Sequence, residues 1–150
     1  MSEKISLGRR ELLTGATAVM AMTASNISFA EMDHQHHHAS NPHEAAIDAA
    51  LDCLKKGQAC LDHCMLLFKK GDNSVADCAD TVNEMLAMCA TLSKLASYQS
   101  RHLTAFAKVC IETCKDCRKE CQKHEDKHAE CKACADSCKN CIAQCEKLIA

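Results

Sequence analysis

The stretch CKACADSCKNCIAQC, Cys131–Cys145, decides the fold. Its five cysteines stand at 131, 134, 138, 141 and 145, alternating steps of three and four residues. A strand alternates its side chains every second residue; steps of three and four instead place successive side chains on one face of a helix, a turn apart. Leu148 extends the series. The same rhythm recurs three times upstream, through Leu103, Ala107, Cys110, Cys114, Cys117 and Cys121; through Val75, Cys78, Val82, Met85, Cys89, Leu92 and Ala96; and through Ala46, Ala50, Cys53, Gly57, Cys60, Cys64 and Leu67. All 14 cysteines fall on these stripes. Each stripe is the inward seam of a helix.

The punctuation between the seams fits. Asn41-Pro42-His43-Glu44 carries a cap, a first-turn proline and an early acid, and predicts a helix over 43–70. Gly71-Asp72-Asn73-Ser74 stops it, and Ser74 with Asp77 reads as a capping-box-like start for a second helix reaching 97. The polar SYQSR, with Ser100 as cap, leads into a third helix to 123; KHEDKH separates it from a fourth over 127–148. Four helices of similar length on short connections predict an all-α, antiparallel up-down bundle with a Cys-lined core.

Composition agrees. In 150 residues there are 14 Cys, four Gly, one Pro and no Trp. Disulfide scaffolds rich in cysteine need loops and turns, and this chain lacks the Gly and Pro that make them. The last helix has only Ile142, Leu148 and Ile149 as large aliphatics. Thiols therefore stand where a bundle normally packs Leu and Ile, and hydrocarbon alone does not hold the axis together.

Residues 1–30 read as a separate leader. Arg9-Arg10, then Leu12-Leu13 and an apolar run, end at the small-x-small site Ser28-Phe29-Ala30, the pattern of a twin-arginine signal peptide that directs a folded protein to the periplasm. The apolar run is short and laced with Ser and Thr, unlike a membrane span. Residues 31–41, EMDHQHHHASN, read as a flexible His-rich arm, and 42–150 as the bundle domain. Such an arm either collects Cu(II) or Zn(II) or is an inert linker. Residues 31–150 carry a net charge of −3, since the leader holds three basic and two acidic side chains against −2 for the whole chain. With no basic stripe and few aromatics, nucleic acid is excluded as a partner.

Soft thiolate ligands select Cu(I), Zn(II) and iron–sulfur clusters. Zn(II) sites use CxxC knuckles in turns and four ligands per ion. Ferredoxins use CxxCxxCxxxCP around a loop, which is absent here. A column of helical thiols better suits many Cu(I) ions, each content with two or three sulfurs. Two alternatives stand beside this: a disulfide-bonded exported structural or stress protein, and a zinc-binding one. Bridges between i and i+3 lie within Cα reach but are strained in a continuous helix and close loops too short to stabilise much. Enzymatic chemistry is not indicated, because no open metal site with a flanking base and no Ser/His/Asp set is present.

The segments CLKKGQACLDHCM, CATLSKLA and CKDCRKECQKHEDKHAECKACADSCKNCIAQC resemble the bacterial copper storage proteins, in particular their exported branch with a twin-arginine leader. The resemblance implies a four-helix bundle that binds multiple Cu(I) ions along its axis, assembles as a homotetramer, and supplies cuproenzymes or buffers excess copper. Carried over by position, it makes ligands of Cys53, Cys60, Cys64, Cys78, Cys89, Cys110, Cys114, Cys117, Cys121, Cys131, Cys134, Cys138, Cys141 and Cys145. It matches His63, in LDHC, to a histidine near the open mouth. Where exported members carry a Met cluster after that histidine, this chain has Met65-Leu66-Leu67-Phe68, so its mouth is poorer in thioether. Met85 lies on a seam and can serve as a ligand or as core; Met88 lies off it. His124 and His128 resemble loop histidines of the cytosolic branch, and are read here as solvated turn residues.

Overall fold

Each seam lies on its own helix. The computed structural model describes residues 40–150; the leader and residues 31–39 of the arm lie outside them. The helices are α1 (Glu44–Lys69), α2 (Ala76–Ser97), α3 (Leu103–Gln122) and α4 (Ala129–Ile149). α1 packs against α2 and α4, and α3 against the same two, while the diagonals stay apart. Short turns make successive helices antiparallel, so the expected up-down bundle forms. Among the described residues no helix is long and apolar enough to cross a membrane.

Gly71 ends the first helix as expected, while the helix starts use other groups than the sequence predicts. α1 stops in a Schellman motif: the Asp72 and Gly71 amides donate to the Leu67 and Phe68 carbonyls at 3.0 and 2.9 Å, with Gly71 at φ 81°. α2 stops the same way, with Ser100 and Gln99 donating to Leu95 and Ala96 at 2.9 and 3.1 Å. There the left-handed position, φ 49°, is held by Gln99, where glycine would be strain-free. The capping box at Ser74 and Asp77 does not form. Val75 is the N-cap of α2, without a side-chain cap bond, and the Asp72 carboxylate instead accepts the Ser74 amide at 2.9 Å. Ser100 is not the cap of α3 either; His102 holds that position, and its amide donates to the Ser100 hydroxyl at 3.2 Å.

Asn41 corrects the boundary of the arm. His43, not Asn41, is the N-cap of α1, and its amide donates to Asn41 Oδ1 at 2.9 Å. Asn41 Nδ2 donates to the Ala96 and Ser97 carbonyls at the end of α2, both at 3.2 Å. Asn41 is thus part of the bundle, tying the start of α1 to the end of α2. At the same end Thr104 Oγ1 donates to the Leu148 carbonyl at 3.2 Å.

The two ends of the axis differ in chemistry. Around Asn41 it is filled by Ala46, Ala50, Leu92, Ala96, Leu103 and Ala107, all buried. From there to the other end the seams are mainly sulfur. Every one of the 14 cysteines is fully buried at 0% exposure, which the seam assignment required. Met85, Leu92, Val75 and Val82 are the largest fully buried side chains. All four belong to α2 or its cap, so hydrocarbon packing is concentrated in the helix with the fewest cysteines.

Candidate metal centre

The antiparallel arrangement sets the registers. Seam residues in the middle of each helix meet at one level, and Cys53, Cys89, Cys114 and Cys141, one from each helix, have sulfurs within 4.8 Å of one another. Four further groups meet the same limit: Cys110–Cys141–Cys145 toward the hydrocarbon end, and Cys117–Cys134–Cys138, Cys60–Cys121–Cys134 and Cys60–Cys78–Cys131 toward the other. Individual sulfur pairs approach to 3.5 Å for Cys78 and Cys121, 3.7 Å for Cys60 with Cys131 and for Cys117 with Cys134, 3.9 Å for Cys89 with Cys114 and 4.0 Å for Cys60 with Cys78. All 14 are free thiols. Two or three such sulfurs, closing in slightly, suit a soft monovalent ion.

His63 sits at the sulfur end beside Cys64, half-buried. Its Nε2 is 3.0 Å from Nδ1 of His128, so one ring nitrogen donates and the other accepts; its Nδ1 is 3.7 Å from a Glu130 carboxylate oxygen. His124 lies behind, its ring centroid 6.5 Å from that of His128 and tilted by 47°. The reading of His128 as a solvated turn residue is therefore corrected: it is half-buried against His63. The signal was available in the topology, because the end of α1 and the start of α4 share one end of any up-down bundle. Met85 is fully buried on its seam. Its methyl lies 2.6 Å from where a Cβ on Gly57 would be, so it fills the notch that this glycine leaves in α1. Cys64 lies outside the five groups.

Such crowding redistributes protons. Burial, and then the charge of Cys78, push the Cys64 thiol up to about 11 from the ordinary 9.0. At Cys131 a Cys60 hydrogen bond lowers the thiol, but Cys78 and burial outweigh it and carry it up to about 12. Cys53 moves down to about 6, because Cys114 and Cys138 donate to its sulfur. Cys89, Cys121 and Cys138 are raised, chiefly by Cys110, Cys117 and Cys114 respectively. Cys134 and Cys141 are lowered as well, chiefly by Cys117 and Cys110, so a few sulfurs gather hydrogen bonds as thiolates while raised neighbours keep their protons.

The raised thiols give stability that is full below the unfolded value of 9.0 and is lost as pH rises through the folded one. Above 9 the lowered Cys53 is ionised in both states, so its stabilisation is full and constant and adds no pH dependence there. The reduced, metal-free bundle should therefore lose melting temperature between about pH 9 and 11, and the copper-loaded one, whose ligands have already shed their protons, should not. Equal pH profiles for the two forms would contradict this.

The family model for copper storage proteins matches residues 36–150. This chain belongs to the copper storage protein family. The family's expected architecture, an all-α bundle with a cysteine core, is present here. A solved apo-Csp3 (copper storage protein 3) from Bacillus subtilis is 30% identical, with a TM-score of 0.63, covering 71% of this chain and 98% of its own. The Cu(I)-bound copper storage protein BsCsp3 is 29% identical with a TM-score of 0.64, covering 71% and 97%. An uncharacterised cysteine-rich protein of Bacillus subtilis (strain 168), YhjQ, is 31% identical over 87 residues, 58% of this chain and 79% of that protein.

Proposed function

We propose that this protein stores Cu(I), many ions per chain, on thiolates lining its axis. The observation that carries this is that every cysteine except Cys64 belongs to a buried group of three or four sulfurs within 4.8 Å. The similarity to a Cu(I)-bound copper storage protein supports it. The ligand set is the 14 cysteines, with His63 and its neighbour His128 at the uptake end and Met85 on the wall. Full burial favours storage over catalysis, since no substrate other than a bare ion reaches such sulfurs. Titration of the reduced protein with Cu(I) against a chelating competitor tests it. Thiolate-to-copper absorption should grow linearly to at least about five equivalents per chain, at two to three sulfurs per ion. Saturation at one or two equivalents would sink the reading.

A second reading has one observation in its favour. Cys53, Cys89, Cys114 and Cys141 supply the ligand count of a structural Zn(II) site. Zinc restricted to that layer predicts one Zn(II) that survives excess Cu(I); its displacement by Cu(I) would exclude it.

Three finer statements belong to the same proposal. The Arg9-Arg10 leader sends the folded bundle to the periplasm, where thiols buried before export escape oxidation; periplasmic protein still beginning at Met1 would contradict this. The stored copper either supplies cuproenzymes or is held as excess, and periplasmic metal content under copper starvation separates the two. Copies of the chain assemble, up to the tetramer that the resemblance implies. Supporting assembly, α1 carries a second apolar stripe one residue beyond the thiol seam: Ile47, Leu51, Leu54, Leu61, Met65 and Phe68. Leu51, Met65 and Leu66 are 49%, 42% and 54% exposed, and Met65 with Leu61 and Phe68 lines a groove of about 390 Å³ against Ala76 and Ala79 of α2. A monomeric mass by sedimentation at micromolar concentration would overturn assembly.

A further inference from the structure

The five sulfur groups divide into two sets with no member in common. The deep set, against the hydrocarbon end, comprises Cys53, Cys89, Cys110, Cys114, Cys141 and Cys145. The outer set, toward His63, comprises Cys60, Cys78, Cys117, Cys121, Cys131, Cys134 and Cys138. The five sulfur–sulfur hydrogen bonds all lie inside one set or the other.

Two helices cause the division. On α1 the seam passes from Cys53 to Cys60 through Gly57, a rise of roughly 10 Å without a thiol. On α2 it passes from Cys89 to Cys78 through Met85 and Val82, roughly 16 Å. The Met85 side chain spans this gap by seating its methyl on Gly57, and Leu86 closes in beside it, 2.9 Å from the same would-be Cβ. Only α3 and α4 carry thiols past this level, at Cys117 and Cys138. Cys138 stands at the boundary: its sulfur groups with those of Cys117 and Cys134 of the outer set, and on α4 it lies one turn from Cys141, which groups with Cys53 and Cys114 of the deep one.

We propose that the core is two copper compartments in series, narrowed at Met85 on Gly57 and joined through Cys138. This rests on the copper-storage reading. Ions enter beside His63, because Leu92, Ala96, Leu103 and Ala107 plug the opposite end. An ion held by Cys117 and Cys134 gains a bond to Cys138 and loses one of the first two. It then gains Cys53 or Cys114 and releases its remaining outer sulfur. The metal stays Cu(I) throughout. Each thiol that binds gives up its proton, and each thiolate left behind takes one, so the crossing needs no redox partner.

Stopped-flow loading of the reduced, full-length protein, followed at the thiolate-to-copper absorption, tests this. The wild type should fill in two phases and release copper to excess chelator in two phases, outer copper first. Cys138→Ser should slow the second phase at least ~tenfold while lowering the final copper content by no more than about one ion. Cys121→Ser, in the outer set but away from the crossing, should lose content without slowing that phase. Met85→Ala should speed it. Release from pre-loaded Cys138→Ser gives the same reading without depending on how that variant fills. Single-phase loading of many equivalents, or a second phase as fast in Cys138→Ser as in the wild type, would overturn the two compartments and leave storage standing. Failure to bind several equivalents would overturn storage, and the compartments with it.

Discussion

Filling the reduced bundle with Cu(I) is expected to raise its melting temperature by at least ~15 °C. An ion bound only by the native state, at a thousand times its dissociation constant, adds about 4 kcal/mol, and about 1 kcal/mol moves the midpoint of a domain this size by roughly 4 °C. That is the contribution of one site, and the axis offers five groups. The geometry makes the effect large for a second reason. The central group takes one sulfur from each of the four helices, and Cys60–Cys78–Cys131 takes one from each of α1, α2 and α4, so an ion there cross-links segments that unfolding would scatter. In the metal-free state those levels are held by thiols, which pack as small and weakly hydrophobic groups. Differential scanning calorimetry of reduced and loaded samples checks this. A rise below about 3 °C would mean that copper sits outside the axis or binds the unfolded chain equally well.

The seams carried most of the fold. Alternating steps of three and four leave little freedom, because a helix shifted by one residue would expose Cys131, Cys134 and Cys138 together, and the structure buries all three. Helix ends were less legible, for local reasons. Gln99 takes a left-handed turn that a sequence reader assigns to glycine. Asn41 acts on carbonyls of residues 96 and 97, more than fifty positions away, and no local pattern reports that. Within the site, cysteine positions were readable one by one, but their grouping was not. Which sulfurs meet depends on the relative height of antiparallel helices, and turn geometry sets that height. The His63–His128 contact and the seating of Met85 on Gly57 belong to the same class of fact. Each joins residues whose separate spacings are unremarkable.

Leu92→Ala should cost the metal-free bundle about 2–5 kcal/mol, a large share of the roughly 5–15 kcal/mol that a domain possesses. Leu92 is fully buried at the end where the axis is hydrocarbon, among Ala96, Leu103 and Ala107. Its neighbours along the seam and across it are mostly alanine and cysteine, which cannot swell to fill the void, so the cavity term adds to the transfer term. The same truncation at Cys89, one turn away, removes a single sulfur and should cost only ~1 kcal/mol. The contrast distinguishes a bundle anchored at one end by hydrocarbon from one held evenly along its length. Copper content should be unchanged in Leu92→Ala, because the residue offers no ligand atom, and loading should recover much of the lost stability. Urea unfolding of the reduced protein, with and without Cu(I), measures both quantities. Equal costs at positions 92 and 89 in the metal-free protein would place the anchor elsewhere. A variant that failed to recover on loading would show that copper cannot hold the helices once the hydrocarbon end has opened.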